Sequence, residues 1–334
     1  MPRYTSMRAL LTKITPLIIF ALLFTACSSP VLRSSGSQVI AKDRDFIVLR
    51  VGSDDARSLA RRYLRDESLY WLIEDANHPN PVAEGREIVI PLKMENPTGI
   101  EYKGYQTVPI LCYHRFGRRS DRMEVTPAMF RKQMEYLDKN DYRVIPLSDL
   151  VGFLKGEKQL PKRAVVLTID DGHRSIYKEA FPILKEYGYP ATVFVYSDYL
   201  NNGGLKTQEL DAMIKSGLIN IQPHSKTHSN LTVRQAGESP GQYRRRVRQE
   251  ISIPNERLVK YLGERPLYYA YPFGDSNDLV IEQLQANGLL LGLTVQRQSN
   301  AAFSYPYLLH RTMIFGDRDM QAFKKSLVTF KALR

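Results

Sequence analysis

The chain has 334 residues, 43% of them apolar, with 47 Lys and Arg against 35 Asp and Glu and a formal charge of +12. That length holds two domains, or one large domain and a small module, and the apolar share is enough for a proper core. Two cysteines exclude a disulfide-stapled scaffold. No nucleic-acid reader motif accompanies the basic excess, so nucleic acid is not an expected partner.

Residues 1–26 read as a secretory signal rather than as structure. Arg3, Arg8 and Lys13 flank and precede an apolar run over 14–24 that is too short to span a bilayer. The run ends Phe24-Thr25-Ala26-Cys27. This resembles a bacterial lipobox, with Phe24 standing where Leu is usual. The resemblance implies lipidation at Cys27 and a membrane anchor through that lipid. Ser28, rather than Asp, then implies a cell-envelope lipoprotein in the outer membrane, facing the periplasm. The alternative is a conventional signal peptide with an incidental Cys27. Cys112 lies in an apolar strand pattern and reads as a buried thiol. Residues 27–43 show no helical period and read as a flexible tether.

Residues 44–93 read as a small βααβ unit. A strand over 45–51 meets the turn Gly52-Ser53-Asp54-Asp55, which carries a helix cap. Ala56, Leu59, Ala60, Tyr63 and Leu64 follow at helical spacing. A second helix over 68–76 carries Trp71, Leu72 and Ile73, and Gly85 turns into a strand over 87–91. The 48–52 stretch, Asn77 and Gly85-x-x-Ile88-x-Ile90-Pro91 resemble a LysM domain. That resemblance implies binding of N-acetylglucosamine glycans, peptidoglycan among them; a spacer without ligand is the alternative. Trp71 reads as a core residue before a sugar platform. Residues 94–106, with Pro97, Gly99 and Gly104, read as a linker.

From residue 107 to 334 strands alternate with helical patterns. Strands are predicted over 108–113, 143–147, 164–167, 191–196, 218–222, 267–271, 289–295 and 312–315. Helices are predicted over 127–137, 148–154, 175–187, 208–216, 240–262, 278–287 and 319–329. Thr126-Pro127 and Ser239-Pro240 supply caps with Pro at the first helical position. Repeated β-α units imply an α/β domain with a parallel sheet, here read as a closing barrel. Active groups then belong at the carboxyl ends of strands.

Two motifs stand at such ends. Thr168-Ile169-Asp170-Asp171-Gly172 follows an apolar strand, and two adjacent carboxylates there repel each other, a cost most commonly offset by a divalent cation; the alternative is a strand ending in a plain Asp-Asp-Gly turn. His224-Ser225-Lys226-Thr227-His228 follows the strand over 218–222, and a helical turn would point both imidazoles one way. Two histidines and one carboxylate suit zinc with open positions. Spacing alone leaves open which aspartate ligates.

Together these motifs resemble the polysaccharide deacetylases of carbohydrate esterase family 4, the NodB-homology group. Tyr271-Pro272-Phe273-Gly274 matches part of a third motif, with Ala270 where that family carries Arg. Leu111-Cys112-Tyr113-His114-Arg115-Phe116 resembles the opening strand of exopolysaccharide-type members. The resemblance covers about residues 107–330 and implies a distorted (β/α) barrel and a divalent metal, zinc. It implies metal ligands Asp171, His224 and His228, with Asp170 as general base. It also implies substrate contacts at Tyr271, Pro272 and Phe273, with an oxyanion donor near Tyr271. His310 is the expected general acid, from the late Leu308-Leu309-His310 stretch, with His114 as the alternative. Arg311 or Arg115 is expected to replace the missing Arg. The implied activity is N-deacetylation of N-acetylglucosamine residues in an exopolysaccharide or in peptidoglycan. The alternative from another class is an inactive glycan-binding lipoprotein. Arg244, Arg245, Arg246 and Arg248 read as a solvated helix face.

Overall fold

The computed structural model describes residues 36–119 and 121–333. The expected signal segment and Cys27 lie outside them. No described helix is long and apolar enough to cross a membrane.

Gln38–Lys42 (β1), Phe46–Arg50 (β2) and Glu87–Pro91 (β3) form an antiparallel sheet in the order β1-β2-β3. Ala56–Leu59 (α1) and Tyr70–Asn77 (α2) cross between β2 and β3. Asp55 caps α1, its Oδ1 accepting from the Ser58 N–H at 2.7 Å. Ile47, Leu49, Leu59, Ile73, Ile88 and Ile90 make a small core of their own. Asn77 closes it, accepting from the Val89 N–H at 2.9 Å and donating to the Ile73 and Val89 carbonyls. The expected βααβ order is present, and β1 precedes it inside the stretch read as a tether. All five β1 side chains are exposed, so no alternation marked the strand; its hold is the backbone ladder to β2. Trp71 is buried. The unit is seated on the larger domain by Glu74 with Arg143 and by Asp75, which accepts from the Lys162 N–H at 2.9 Å.

The segment read as a linker contains a hairpin, Ile100–Glu101 (β4) and Gly104–Gln106 (β5). Its partner is the far end of the chain. Local periodicity cannot show pairing across more than 200 positions, and the helix expected to reach 329 stops early for the same reason.

The larger domain then runs Ile110–Tyr113 (β6), Arg115–Phe116 (β7), Glu124–Val125 (β8), Pro127–Lys139 (α3), Arg143–Val144 (β9), Asp149–Leu154 (α4) and Ala164–Ile169 (β10). Phe181–Tyr187 (α5), Ala191–Val195 (β11), Thr207–Lys215 (α6), Ile219–Pro223 (β12) and Pro240–Leu262 (α7) follow. Tyr268–Ala270 (β13), Asp278–Ala286 (α8), Leu291–Leu293 (β14), Thr312–Met313 (β15), Met320–Lys324 (α9) and Phe330–Ala332 (β16) complete it. β16 pairs antiparallel with β5. The caps act as predicted: Thr126 Oγ1 accepts from the Met129 N–H, and Ser239 shares a capping box with Gln242.

β12-β11-β10-β6-β15 is a parallel sheet, with β10 buried at all six positions, while β13 and β14 form a separate parallel pair. A continuous barrel ladder is not formed among the described residues. At one seam Gln222 Oε1 replaces the ladder, accepting from the Leu267 and Tyr268 N–H groups at 2.9 Å each. At the other, Leu293 and Leu309 make a single bridge. A side-chain acceptor inserted between strands satisfies the edge donors without strand-to-strand register.

Candidate active site

The carboxyl ends of β6, β10, β12 and β13 meet around Asp170. Its carboxylate is buried and takes a two-pronged contact from Arg311: Nη1 donates to Oδ1 and Nη2 to Oδ2, each at 2.7 Å. The Cys112 thiol lies 3.5 Å from Oδ2. Arg311 has no exposed surface. It also donates through Nε to the Thr294 carbonyl at 2.8 Å and through Nη1 to Thr168 Oγ1 at 3.2 Å. Burial alone would raise the Asp170 carboxyl; the Arg311 guanidinium overrides it and holds the group well below the usual carboxylate range. Ala270 contributes no side chain here, and of the two expected substitutes Arg311 takes the place beside Asp170. Arg115 is exposed. A charged residue running into an apolar strand pattern, as Arg311 does before residues 312–315, needs a buried partner if it turns inward.

Asp171, one residue on, is held differently. Its φ is +73°, and Gly172 follows at +72°. A Cβ on Gly172 would sit 2.9 Å from Val195 Cγ1, so the tight turn needs glycine. Asp171 Oδ1 is buried with no hydrogen-bond partner. It lies 3.4 Å from His228 Nε2 and 3.7 Å from His224 Nε2. His224 Nδ1 is 2.7 Å from the Ala270 carbonyl. A carbonyl only accepts, so Nδ1 carries the proton and Nε2 presents its lone pair to Asp171. Burial pushes the His224 imidazole below its ordinary value, against Asp170 and Asp171. One ligand atom from each of Asp171, His224 and His228 lies within 4.8 Å of the others. An orphaned carboxylate oxygen beside the His224 lone pair and the His228 Nε2 is a donor set that fits a divalent cation.

The histidine segment is not the helical turn expected of it. Ser225 and His228 have φ of +77° and +62°, and the His228 N–H donates to Ser225 Oγ at 2.8 Å. The two imidazoles converge because a strained loop folds them together. Glu250, buried on α7, clamps that loop: Oε2 accepts from the Lys226 and Thr227 N–H groups at 3.1 and 2.9 Å, and Oε1 from Thr227 Oγ1 at 2.7 Å. Nothing in local spacing marked Glu250, which reaches the loop from more than twenty positions away.

The third segment divides its roles. Tyr271 is buried in a core with Tyr269, and its hydroxyl donates to the Tyr307 carbonyl at 2.8 Å. Its N–H donates to the Leu293 carbonyl, so it is not an oxyanion donor. Pro272 is buried as well. Only Phe273 faces outward, 58% exposed at φ +62°, with its ring 4.9 Å from that of His228. Substrate contact at Tyr271 and Pro272 is therefore corrected to a packing role, since both side chains are buried and the turn at Phe273 swings that ring alone outward.

Alternation along the extended stretch leading into β15 separates His310 from the site. Arg311 turns inward to Asp170, so His310 and Thr312 turn outward, onto a cavity shared with Tyr105, Phe303 and Lys325. His114 instead lies at the cluster, with one ring nitrogen within 4.8 Å of a ligand atom of Asp170 and of Cys112. Burial lowers its imidazole, opposed by Asp170 and Asp171. The arginine run on α7 is solvated as expected: Arg244 pairs with Glu282 and Arg246 with Glu238.

This geometry has relatives. Residues 157–292 match the family model described as polysaccharide deacetylase. Over 201 residues the chain is 27% identical to a poly-beta-1,6-N-acetyl-D-glucosamine N-deacetylase of Staphylococcus epidermidis, covering 58% of this chain and 68% of that protein. The solved structure of IcaB from Ammonifex degensii superposes with a TM-score of 0.60 at 25% identity, covering 67% of this chain and 99% of that one. A de-N-acetylase from Aggregatibacter actinomycetemcomitans gives 0.60 at 21% identity, covering 66% and 99%, and supports the fold.

Proposed function

We propose that this chain, a hydrolase carrying a polysaccharide deacetylase domain, removes acetyl groups from N-acetylglucosamine residues of an exopolysaccharide of the poly-β-1,6-N-acetylglucosamine type. The observation that carries the reading is the paired arrangement at the strand ends. Asp170 is ion-paired and fixed by Arg311, and beside it Asp171, His224 and His228 converge around an unpartnered oxygen.

A divalent cation, which we take to be zinc, would be held by Asp171, His224 and His228 and would supply Lewis-acid polarisation and water activation. The chain's own residues do the rest. Asp170, kept ionised by Arg311, accepts the proton of the water whose oxygen attacks the acetamide carbon. As the carbon–nitrogen bond breaks, the proton that Asp170 took from the water passes through His114 to the departing amine, which restores both groups, and acetate and glucosamine leave. His114 takes the acid's role over His310 because it stands at Asp170 and His310 does not. Phe273 offers an exposed apolar face at the rim for a sugar ring.

Acetate release from β-1,6-linked N-acetylglucosamine oligomers by the full chain tests this. Asp170→Asn is expected to cut the rate by about 10²–10⁴-fold, and chelation to abolish it until zinc is restored. A rate that survives Asp170→Asn would sink the assignment. Two further parts stand beside it. Peptidoglycan or N-acetylglucosamine binding by the LysM-like unit holds the enzyme near its polymer, and a lipid on Cys27 holds it at the outer membrane. Labelling with a radioactive fatty acid, lost in Cys27→Ala, checks the second.

A further inference from the structure

On the far side of β15 from Asp170, a second group of polar atoms lacks partners. His310 and Thr312 face a cavity of about 610 Å³. It continues through Arg297, Thr312 and Ser326 into another of about 500 Å³, making one trough along α9. Its charge is one-sided. Arg297, Lys325 and Lys331 line the first cavity, and no Asp or Glu does. None of the three has an ion-pair partner among the described residues. Arg122 and Arg318 line the second. The opposing carboxylates are engaged: Asp319 caps α9 through the Ala322 N–H at 2.9 Å, and Asp317 sits 3.7 Å from Arg318.

Two further features point to a ligand. His310 lines the first cavity, and its Nδ1 has no hydrogen-bond partner among the described residues. Phe303 is 65% exposed and steadied by an edge contact to Tyr105 at 5.0 Å, presenting an apolar platform beside the cations. The trough also reaches a residue packed against the rim. Val295 lines it, and a Cβ on Gly274, the residue after Phe273, would lie 2.4 Å from Val295 Cγ2.

We propose that this trough is a subsite for anionic substituents, carboxylate or phosphate, carried on the polysaccharide, so that acid-substituted stretches of an N-acetylglucosamine polymer bind in preference to unsubstituted ones. The proposal rests on the deacetylase reading. It has a consequence for direction: deacetylated sugars carry ammonium groups, which the five cations repel, so unprocessed acidic chain enters and product leaves.

Binding to the full chain bearing Asp170→Asn decides it, with hyaluronan oligosaccharides (alternating N-acetylglucosamine and glucuronate) against neutral N-acetylglucosamine oligomers of equal length. At low salt the acidic oligosaccharide is expected to bind at least about ten-fold tighter, a preference that fades as salt screens it. The combination Arg297→Gln, Lys325→Gln and Lys331→Gln is expected to remove the preference. Arg244→Gln, Arg245→Gln and Arg248→Gln, outside the trough, are expected to keep it. Competition by inorganic phosphate above that by acetate assigns the phosphate; the reverse assigns the carboxylate. Equal affinities, or a preference that survives the trough substitutions, overturn the proposal. Acetate release from neutral oligomers that needs Asp170 would still uphold the deacetylase, so the two readings fail separately.

Discussion

The floor and the rim of the site solve opposite problems. The floor is built from regular strands, β6, β10 and β15, and its polar atoms are matched: Asp170, Arg311, Thr168 and Thr294 form one closed network. The rim is built from loops. Asp171, Ser225, His228 and Phe273 account for four of the seven non-glycine residues with positive φ among those described. Such conformations persist only where surrounding contacts impose them, and they gather where a site must be pre-shaped. A matched floor keeps one charge fixed whatever binds; a strained rim keeps lone pairs aimed at a place where no protein donor satisfies them.

Removing Arg311 should break the floor and give the largest effect. Arg311→Met strands a buried carboxylate, and a loss of about 3–5 kcal/mol in stability is expected near neutral pH. Because Asp170 is depressed in the folded chain, its ionised form stabilises the fold above the ordinary carboxylate range. That contribution disappears as pH falls through the depressed value. Without Arg311, burial raises the carboxyl, so the acid limb of kcat/KM should move to higher pH. Denaturant melts and a pH–rate profile read both; an unmoved limb would mean that Asp170 is not the base.

Loosening the rim tests the other half. Glu250→Gln weakens the clamp on the Lys226–Thr227 backbone, and a loss of about 10–100-fold in metal affinity is expected, as for supporting groups around ligands. At saturating metal most of kcat should return. Unchanged affinity in a metal-buffered titration would show that the loop holds its shape unaided. The smallest effects separate Phe273 from Tyr271. Phe273→Ala should raise KM and shift stability by no more than about 0.5 kcal/mol. Tyr271→Phe should lose about 1 kcal/mol with its bond to the Tyr307 carbonyl and leave KM alone. The reverse pattern would return Tyr271 to the substrate.

Much of this was legible along the chain. Asp170-Asp171 and His224–His228 each follow an apolar run, and strand exits are where a parallel sheet collects chemistry. Most helix starts were legible from Ser, Thr and Pro at their caps. β1 and β16 were not, because exposed edge strands have no apolar alternation. His310 was favoured over His114 because motif position says nothing about which way a side chain faces.

Local composition and spacing thus determined the elements, the carboxylate pair and the two imidazoles, because propensity, capping and burial period act within a few residues. Only the tertiary structure decided that Arg311 stands against Asp170 from 141 positions away. It alone decided that His114 rather than His310 faces the site, and that the imidazoles converge through a strained loop. Those outcomes depend on the order in which strands pair and on single-residue register, which exchanges one face of a strand for the other.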